Sequence, residues 1–419
     1  MYFISSKGND NNSGLSKNES WATLKKISDF DAKPGDIFAL EGGSVFHGNI
    51  DWSWKDIGYP TNPITITSYG ENKATIISPQ NQHGIIYNGL GGLRISNLIL
   101  QGNQNSEPGY FGIYVETQFA LIHNIYIENV EIFYYSSAGI GLLSASIDLN
   151  INDVTIDKCN LHHNTNAVML AGIANLKLIN TNVYENDWVG DSSAPIGGYG
   201  LSLFNCRDSL VERCSSNRNG LLTLNAGGHG GMLLENCDNV KVSCCFFIGN
   251  GDATGLDGQG IVLYGAHDCL VENCVTVSNL NGGISLFHDE WCRYVERCEI
   301  RDCVCINDVT SLALIGSVLD CTISNNEFYT HSFDGVYRKT MDVALNAEIE
   351  PTPDNKRVSV LGNRFNANGG ALLLEASPGL QGIYWLIENI WDSTNPIISS
   401  RERTFSRIID ALTAEPIKI

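Results

Sequence analysis

Apolar and polar residues alternate in short runs along most of this chain, and the runs return at a nearly constant interval. One phrase recurs through the middle: DSLVERCSS (208–216), DNVKVSCCF (238–246), DCLVENCVT (268–276) and CRYVERCEI (292–300). Period-2 alternation of this kind predicts strands with one buried face. Between the copies lies a second phrase, an apolar strand usually led by glycine. It reads GIYV (112–115), GIGLL (139–143), AVML (167–170), GLSLF (200–204), GMLL (231–234), GIVLY (260–264), GISLF (283–287) and ALLL (371–374). Asn, Asp and Gly fill the gaps, so each repeat carries two or three short strands joined by tight turns.

No amphipathic segment of about 10–15 residues separates the strands, which excludes βαβ units. An antiparallel sandwich would not stack one side-chain type at a fixed interval. The pattern predicts an all-β fold, a single-stranded right-handed parallel β-helix of about 10–12 coils, each coil adding about 4.8 Å. Aligned on their last cysteine, the phrases give a column Cys214, Cys244, Cys274, Cys298, extended by Cys159, Asn182, Asn326 and Asn363. The expectation is a stack of buried thiols continued by an internal asparagine ladder. Asp208, Asp238 and Asp268 form a second column, read as turn residues or a cation site. Residues 1–80 are expected to hold a cap and the first coils, 81–389 the β-helix with loop insertions, and 390–419 a C-terminal cap. WATLKKISDF is a short helical candidate with Ser20 as N-cap. Residues 330–356 read as an irregular excursion.

Composition narrows the partners. The chain has 419 residues, 43% of them hydrophobic, and a net charge of −20. Its 26 Lys and Arg are scattered, which excludes nucleic acid as a partner. No apolar run reaches the roughly 18 residues of a membrane-spanning helix. The 13 cysteines include no CxxC pair, so neither a zinc finger nor a redox motif is indicated. The N-terminus lacks the basic start and apolar core of a signal peptide. That leaves a cytoplasmic chain or the mature form of an exported one. A secreted or cell-surface protein is the expectation, with oligomeric state open.

YFISSKGNDNNSG (2–14), SWATLKKI (20–27), KPGDIFALEGGSVFHG (33–48) and NPITITSYG (62–70) carry a resemblance. They resemble the N-terminal signature of a large bacterial class of right-handed β-helix proteins in the pectate-lyase-like superfamily. The resemblance implies carbohydrate chemistry, since that superfamily includes polysaccharide lyases, glycoside hydrolases, epimerases, and non-enzymatic adhesins and tailspikes. Similarity to the polygalacturonase-like hydrolases rests on Gly228-His229-Gly230 and Asp257-Gly258-Gln259-Gly260. It is partial: the adjacent aspartate pair of that family is absent, and the Gly-His-Gly precedes the candidate aspartate.

If the glycine-led strands stack, the residues leading them form a surface column: Tyr199, His229, Asp257 to Gln259, Asn281 and Asp308. Upstream turns add Asp187, Asp191 and Asp252, and LFHDEW adds His288, Asp289, Glu290 and Trp291. Carboxylates beside aromatic rings suit a sugar cleft. Inverting hydrolysis asks for two carboxyl groups about 6.5–9.5 Å apart and retention for about 5–5.5 Å. Residues two coils apart lie near 9.6 Å, so Asp191 with Asp257, or Asp257 with Asp308, is a candidate inverting pair. The catalytic candidates are therefore Asp257, Asp191, His229, Glu290 and Asp308. The substrate-binding candidates are Trp188, Tyr199, Gln259, Tyr264, His288, Trp291, Arg218 and Arg338. Asp-Gly is equally an ordinary turn dipeptide.

The expected function is a polysaccharide-degrading glycoside hydrolase. Lysine and arginine are sparse, so a neutral glycan suits the acidic chain better than a strongly anionic one. The alternatives are a polysaccharide lyase, calcium-assisted to neutralise a uronate, or a non-catalytic glycan binder. Hydrolysis requires no cofactor. Calcium is the one ion considered, with Asp252 and Asp289 as weak ligands, because 249–260 lacks the alternation of an EF-hand loop.

Overall fold

A computed structural model of the chain describes residues 1–103, 107–117, 120–144, 149–187, 198–221, 230–251, 258–288, 292–308, 310–315, 318–331, 341–346, 357–368, 372–376, 383–387, 390–392, 396–400, 404–405 and 417–418. Every repeat is a coil of three strands, and each strand pairs in parallel with its counterpart in the next coil. Among the described residues the short middle strands number 13, slightly above the expected coil count. The chain divides into two compact units, Met1–Leu201 with Asn205–Leu210, and Ser202–Phe204 with Val211–Ile419.

In the first unit, the first sheet runs through Ile37–Glu41, Ile64–Tyr69, Gly91–Ser96, Ile122–Glu128, Ile151–Asp157 and Ile173–Ile179. The register aligns Ile64, Leu93, Ile125, Val154 and Leu176 in one buried row, and Ile66, Ile95, Ile127, Ile156 and Leu178 in the next. Alternation along each strand thus becomes columns of like apolar side chains through the interior, each worth about 1.5–3 kcal/mol when fully buried. The second sheet includes Glu131–Phe133, Asn160–His162 and Asn182–Tyr184. The third includes Phe111–Thr117, Ala138–Ser144 and Asn166–Ala171.

The N-terminal end is closed. Tyr2–Ile4 adds a parallel strand to Ile37–Glu41. Trp21 is buried against Tyr2, with ring centroids 4.8 Å apart. The helix is only Leu24–Ser28 and buries Leu24 and Ile27. Its N-cap is Thr23, not Ser20. The Asp10 carboxylate accepts hydrogen bonds from the Ala22 and Thr23 amides at 2.7 and 3.0 Å. Those bonds hold the chain extended until Thr23, whose hydroxyl then accepts from Lys26.

In the second unit, the third sheet runs through Met232–Glu235, Gln259–Tyr264, Gly282–Phe287, Thr310–Ile315, Met341–Asn346, Leu372–Ala376 and Pro396–Ser400. The span 330–356 therefore carries a strand and is not one irregular excursion. At the C-terminal end the described strands reverse. Thr404–Phe405 pairs antiparallel with Pro396–Ser400, and Ile417–Lys418 with Ile383–Ile387.

Two columns differ from their expected register. Cys244 is exposed, with φ of 54° in the turn between first and second sheets. The buried column reads Cys214, Cys245, Cys274 and Cys303. It continues into Asn326 and Asn363: the Cys303 amide donates to Asn326 Oδ1 at 2.9 Å, and the Asn326 amide to Asn363 Oδ1 at 2.8 Å. Cys298 belongs to another column, since its amide donates to the Cys321 sulfur at 3.3 Å. Asn182 is exposed, and its neighbour Thr181 is the buried residue that accepts from the Cys159 amide. In each case a left-handed turn residue breaks the period-2 pattern by one place. The aspartate column is also redistributed. Asn239, not Asp238, shares the turn position of Asp268, with φ of 51° and 53°. Asp238 pairs with Arg293 at 2.9 Å and Asp268 with Arg297 at 2.7 Å, so these carboxylates serve ion pairs between turns.

Candidate functional site

Three successive connections of the second unit end at one edge of its third sheet. Gln259 aligns with Gly282. The Gly231 amide donates to the Gln259 carbonyl at 2.9 Å, and the Asn281 amide to the Gly258 carbonyl at 3.1 Å. Gly230, Gln259 and Gly282 thus mark adjoining entries into the sheet. They end the connections that leave Ser215–Asn217, Phe246–Ile248 and Val275–Val277.

An internal polar ladder lies beneath this edge. The Asn219 amide donates to Asn250 Oδ1 at 3.1 Å, the Asn250 amide to Asn279 Oδ1 at 3.0 Å, and the Asn279 amide to Asp308 Oδ1 at 2.8 Å. Each asparagine also donates through Nδ2, so turn groups that would otherwise be buried unpaired are satisfied. The ladder explains the glycines. A Cβ on Gly260 would stand 2.7 Å from the Gly283 carbonyl, and one on Gly283 would stand 2.8 Å from Asp308 Oδ2. Only glycine lets the strand pass so close to the ladder.

Asp308 is therefore an interior residue. It is 1% exposed, accepts from Thr276 Oγ1 at 2.6 Å, and holds both Asn279 donors. Burial pushes its carboxyl up to about 7, although the hydrogen bonds from Thr276 and Asn279 oppose the rise. It does not face a surface cleft, and its place in the expected catalytic set is corrected accordingly.

The other described candidates are dispersed. Gln259 sits at the sheet edge, where its Oε1 accepts from the Gly258 amide at 3.3 Å. Tyr264 lies at the far end of the same strand, 5.3 Å from Phe287. Glu235 joins these two in register. Three consecutive buried apolar residues precede it, so no alternation in the sequence singles this position out. His288 follows Phe287, is buried, and packs its ring 4.9 Å from Tyr294. Gln259 and His288 stand at opposite ends of the strands, about 20 Å apart at 3.3 Å per residue. Arg218 is exposed in the turn after Ser215–Asn217, with φ of 53°. Tyr199, in the first unit, donates its amide to Asn166 Oδ1 at 3.1 Å. Asp257, Asp191, His229, Glu290, Trp188, Trp291, Arg338, Asp252 and Asp289 lie outside the described residues.

Among the described residues no group of three or more His, Cys, Asp or Glu is placed to hold a metal ion. A cavity of about 530 Å³ lies on the first sheet of the first unit, over Tyr126 and Thr155 with Arg94 and Lys177 in the same row. None of the expected site residues lines it.

The family profile described as a right handed β-helix region matches residues 83–256 and 252–389. The chain belongs to the right-handed β-helix family. A lacto-N-biosidase of Bifidobacterium longum is 40% identical over 73 residues, which is 17% of this chain and 5% of that relative. The match thus spans a small part of the curated relative. Among solved structures, a lacto-N-biosidase from Eubacterium ramulus matches with TM-score 0.58 and 15% identity, over 77% of this chain and 64% of that one. The A-module of a mannuronan C-5 epimerase from Azotobacter vinelandii gives 0.57 and 14%, over 86% and 92%. The catalytic domain of an α-1,3-glucanase gives 0.57 and 11%, over 96% and 68%. These neighbours are carbohydrate-active β-helix enzymes, and the likeness establishes the shared fold. Among the described residues no helix is long and apolar enough to cross a membrane.

Proposed function

We propose that this protein is a glycoside hydrolase acting on a polysaccharide or oligosaccharide along the third sheet of its second unit. The observation that carries the reading is the convergence of successive coil connections on one sheet edge, where Gly230, Gln259 and Gly282 stand side by side. Loops gathered on a rigid stack are the usual seat of chemistry on a solenoid. The similarity to two lacto-N-biosidases supports hydrolysis. The net charge of −20 favours a neutral or amino-sugar glycan over a strongly anionic one.

Two carboxyl groups would do the work. One protonates the leaving glycosidic oxygen, and the other activates water or attacks the anomeric carbon. Asp257 is proposed as one of them because it immediately precedes Gly258 at this edge, and His229 stands one residue before Gly230. The second carboxyl is sought in the connections that reach the same edge, with Asp252 as the candidate. Hydrolysis by this route needs no cofactor, and a glycan substrate of this kind fits an exported protein.

The test is a screen of neutral, uronic and amino-sugar glycans. Reducing-end release is read beside the ultraviolet absorbance of an unsaturated product, with and without EDTA. Asp257→Asn should lower kcat by at least about a hundredfold, and EDTA should leave the wild type unchanged. Full activity in the variant removes Asp257 from the mechanism. An EDTA-sensitive unsaturated product replaces hydrolysis with calcium-assisted elimination. Saturable binding without turnover of any substrate leaves a glycan-binding protein.

A further inference from the structure

On the second sheet of the first unit, away from the third-sheet face, two adjacent histidines hold an arrangement that hydrolysis does not use. Phe133, His162 and Tyr184 align across three coils. The His162 ring is stacked between the other two, with centroids 5.1 and 4.9 Å away. His163 follows the strand Asn160–His162, with φ of 54°. That left-handed turn brings its ring edge-on to His162, at 85° between planes. The two Nδ1 atoms face each other across 2.8 Å. Each ring is held from behind by a carboxylate: His162 Nε2 lies 3.3 Å from Glu131 Oε1, and His163 Nε2 lies 3.4 Å from Glu185 Oε2.

We propose that His162 and His163 bind one divalent transition-metal ion, of the zinc, nickel or copper class, through their facing Nδ1 atoms. Three observations lead there. Two imidazole nitrogens bound to one such ion at about 2.0–2.1 Å lie roughly 3 Å apart, so the observed spacing needs only a small adjustment. A carboxylate on the remote nitrogen is the partner that fixes the tautomer and ring direction of a metal-binding histidine. Here both rings have one, and their Nδ1 atoms lie within hydrogen-bond distance of each other. Imidazole donors select zinc, nickel and copper over calcium or magnesium. With no third ligand side chain in the cluster, water completes the coordination. Glu131, the histidine pair and Glu185 come from successive coils, so two ligands from one coil are braced by carboxylates from the coils on either side.

The experiment uses tag-free protein stripped with EDTA and titrated calorimetrically with Zn²⁺. Copper-loaded protein is examined by electron paramagnetic resonance for nitrogen couplings. One equivalent should bind, with couplings from two imidazoles, and His163→Gln should weaken zinc at least tenfold. His163 is the decisive position because its side chain is 45% exposed and that of His162 only 13%, so the first substitution spares the ring stack. Unchanged circular dichroism in His163→Gln confirms that the fold is intact. His123→Gln, elsewhere on the unit, should leave binding as it was. Absence of a saturable single site, or unchanged affinity in His163→Gln, overturns the proposal.

Discussion

Replacing Asp308 by asparagine should stabilise the second unit, and increasingly so as pH rises. In the native state the Asp308 carboxyl is buried and accepts three hydrogen bonds, from the Thr276 hydroxyl and from the amide and Nδ2 of Asn279. Burial lifts its pKa to about 7, whereas an unfolded aspartate titrates near 3.9. The folded state thus holds this proton more tightly than the unfolded state. Its contribution is most favourable below about pH 4 and is lost as pH climbs through about 7, at roughly 1.4 kcal/mol per pH unit. From pH 5 to pH 8 the loss is about 3 kcal/mol. Asparagine has no such titration. Its Oδ1 would keep both Asn279 donors, as Oδ1 of Asn279 and of Asn250 does for the preceding asparagine one and two steps earlier in the ladder. Its Nδ2 would face Thr276 Oγ1, whose hydroxyl reverses from donor to acceptor. Urea unfolding of wild type and Asp308→Asn, followed by circular dichroism, measures the gap between them at each pH. That gap should widen by about 3 kcal/mol in favour of the variant between pH 5 and pH 8. A gap constant within about 0.5 kcal/mol across that range would refute the argument, because Asp308 would then be ionised to the same extent in both states.

Gly283→Ala would press a methyl group to 2.7 Å from the Ser311 carbonyl and 2.8 Å from Thr276 Oγ1. Overpacking of that kind should lower Tm by roughly 4–10 °C, read by calorimetry. Of the 13 cysteines only Cys244 and Cys292 are not buried. A thiol reagent should therefore find two fast equivalents in native protein and the rest only in denaturant, and four or more fast equivalents would contradict the buried columns. Asp268→Asn removes the exposed pair with Arg297. It should cost under about 1 kcal/mol in urea unfolding, and a larger loss would show that the turn depends on that carboxylate.

The coil repeat was legible in the sequence because period-2 alternation and glycine-led strands are direct imprints of a stacked parallel sheet. The interior columns were legible only to within one place. VSCCFF offers two adjacent cysteines, and only the left-handed φ of Cys244 decides that Cys245 points inward. INTN conceals the buried Thr181 in the same way. Asp308 was misassigned for a related reason. Surface and ladder positions both lie just ahead of a glycine-led strand, and sequence spacing alone does not separate them. The candidate carboxylates Asp191, Asp252 and Asp257 sit in connections with no hydrophobic period. Nothing in their pattern fixes a register, whereas Gln259 and Gly282 inherit theirs from the strands that follow.

The turn between first and second sheets repeats with the same left-handed residue, as at Asn97, Asn129, Lys158 and Asn180 in one unit and Cys244, Asn273, Asp302 and Asn325 in the other. A coil bounded by two such turns begins and ends in the same backbone conformation. It is therefore a unit of inheritance as much as of structure. A gene segment of about 30 codons can be duplicated or lost without reorienting the side chains on either side. Such an event displaces every residue beyond it by one step of about 4.8 Å along the stack. Separations between groups on different coils then evolve in jumps rather than by gradual drift. The distances that distinguish one glycosidase geometry from another differ by about such a step. For a glycosidase built on stacked coils, a change of stereochemical outcome lies within reach of a single in-frame duplication.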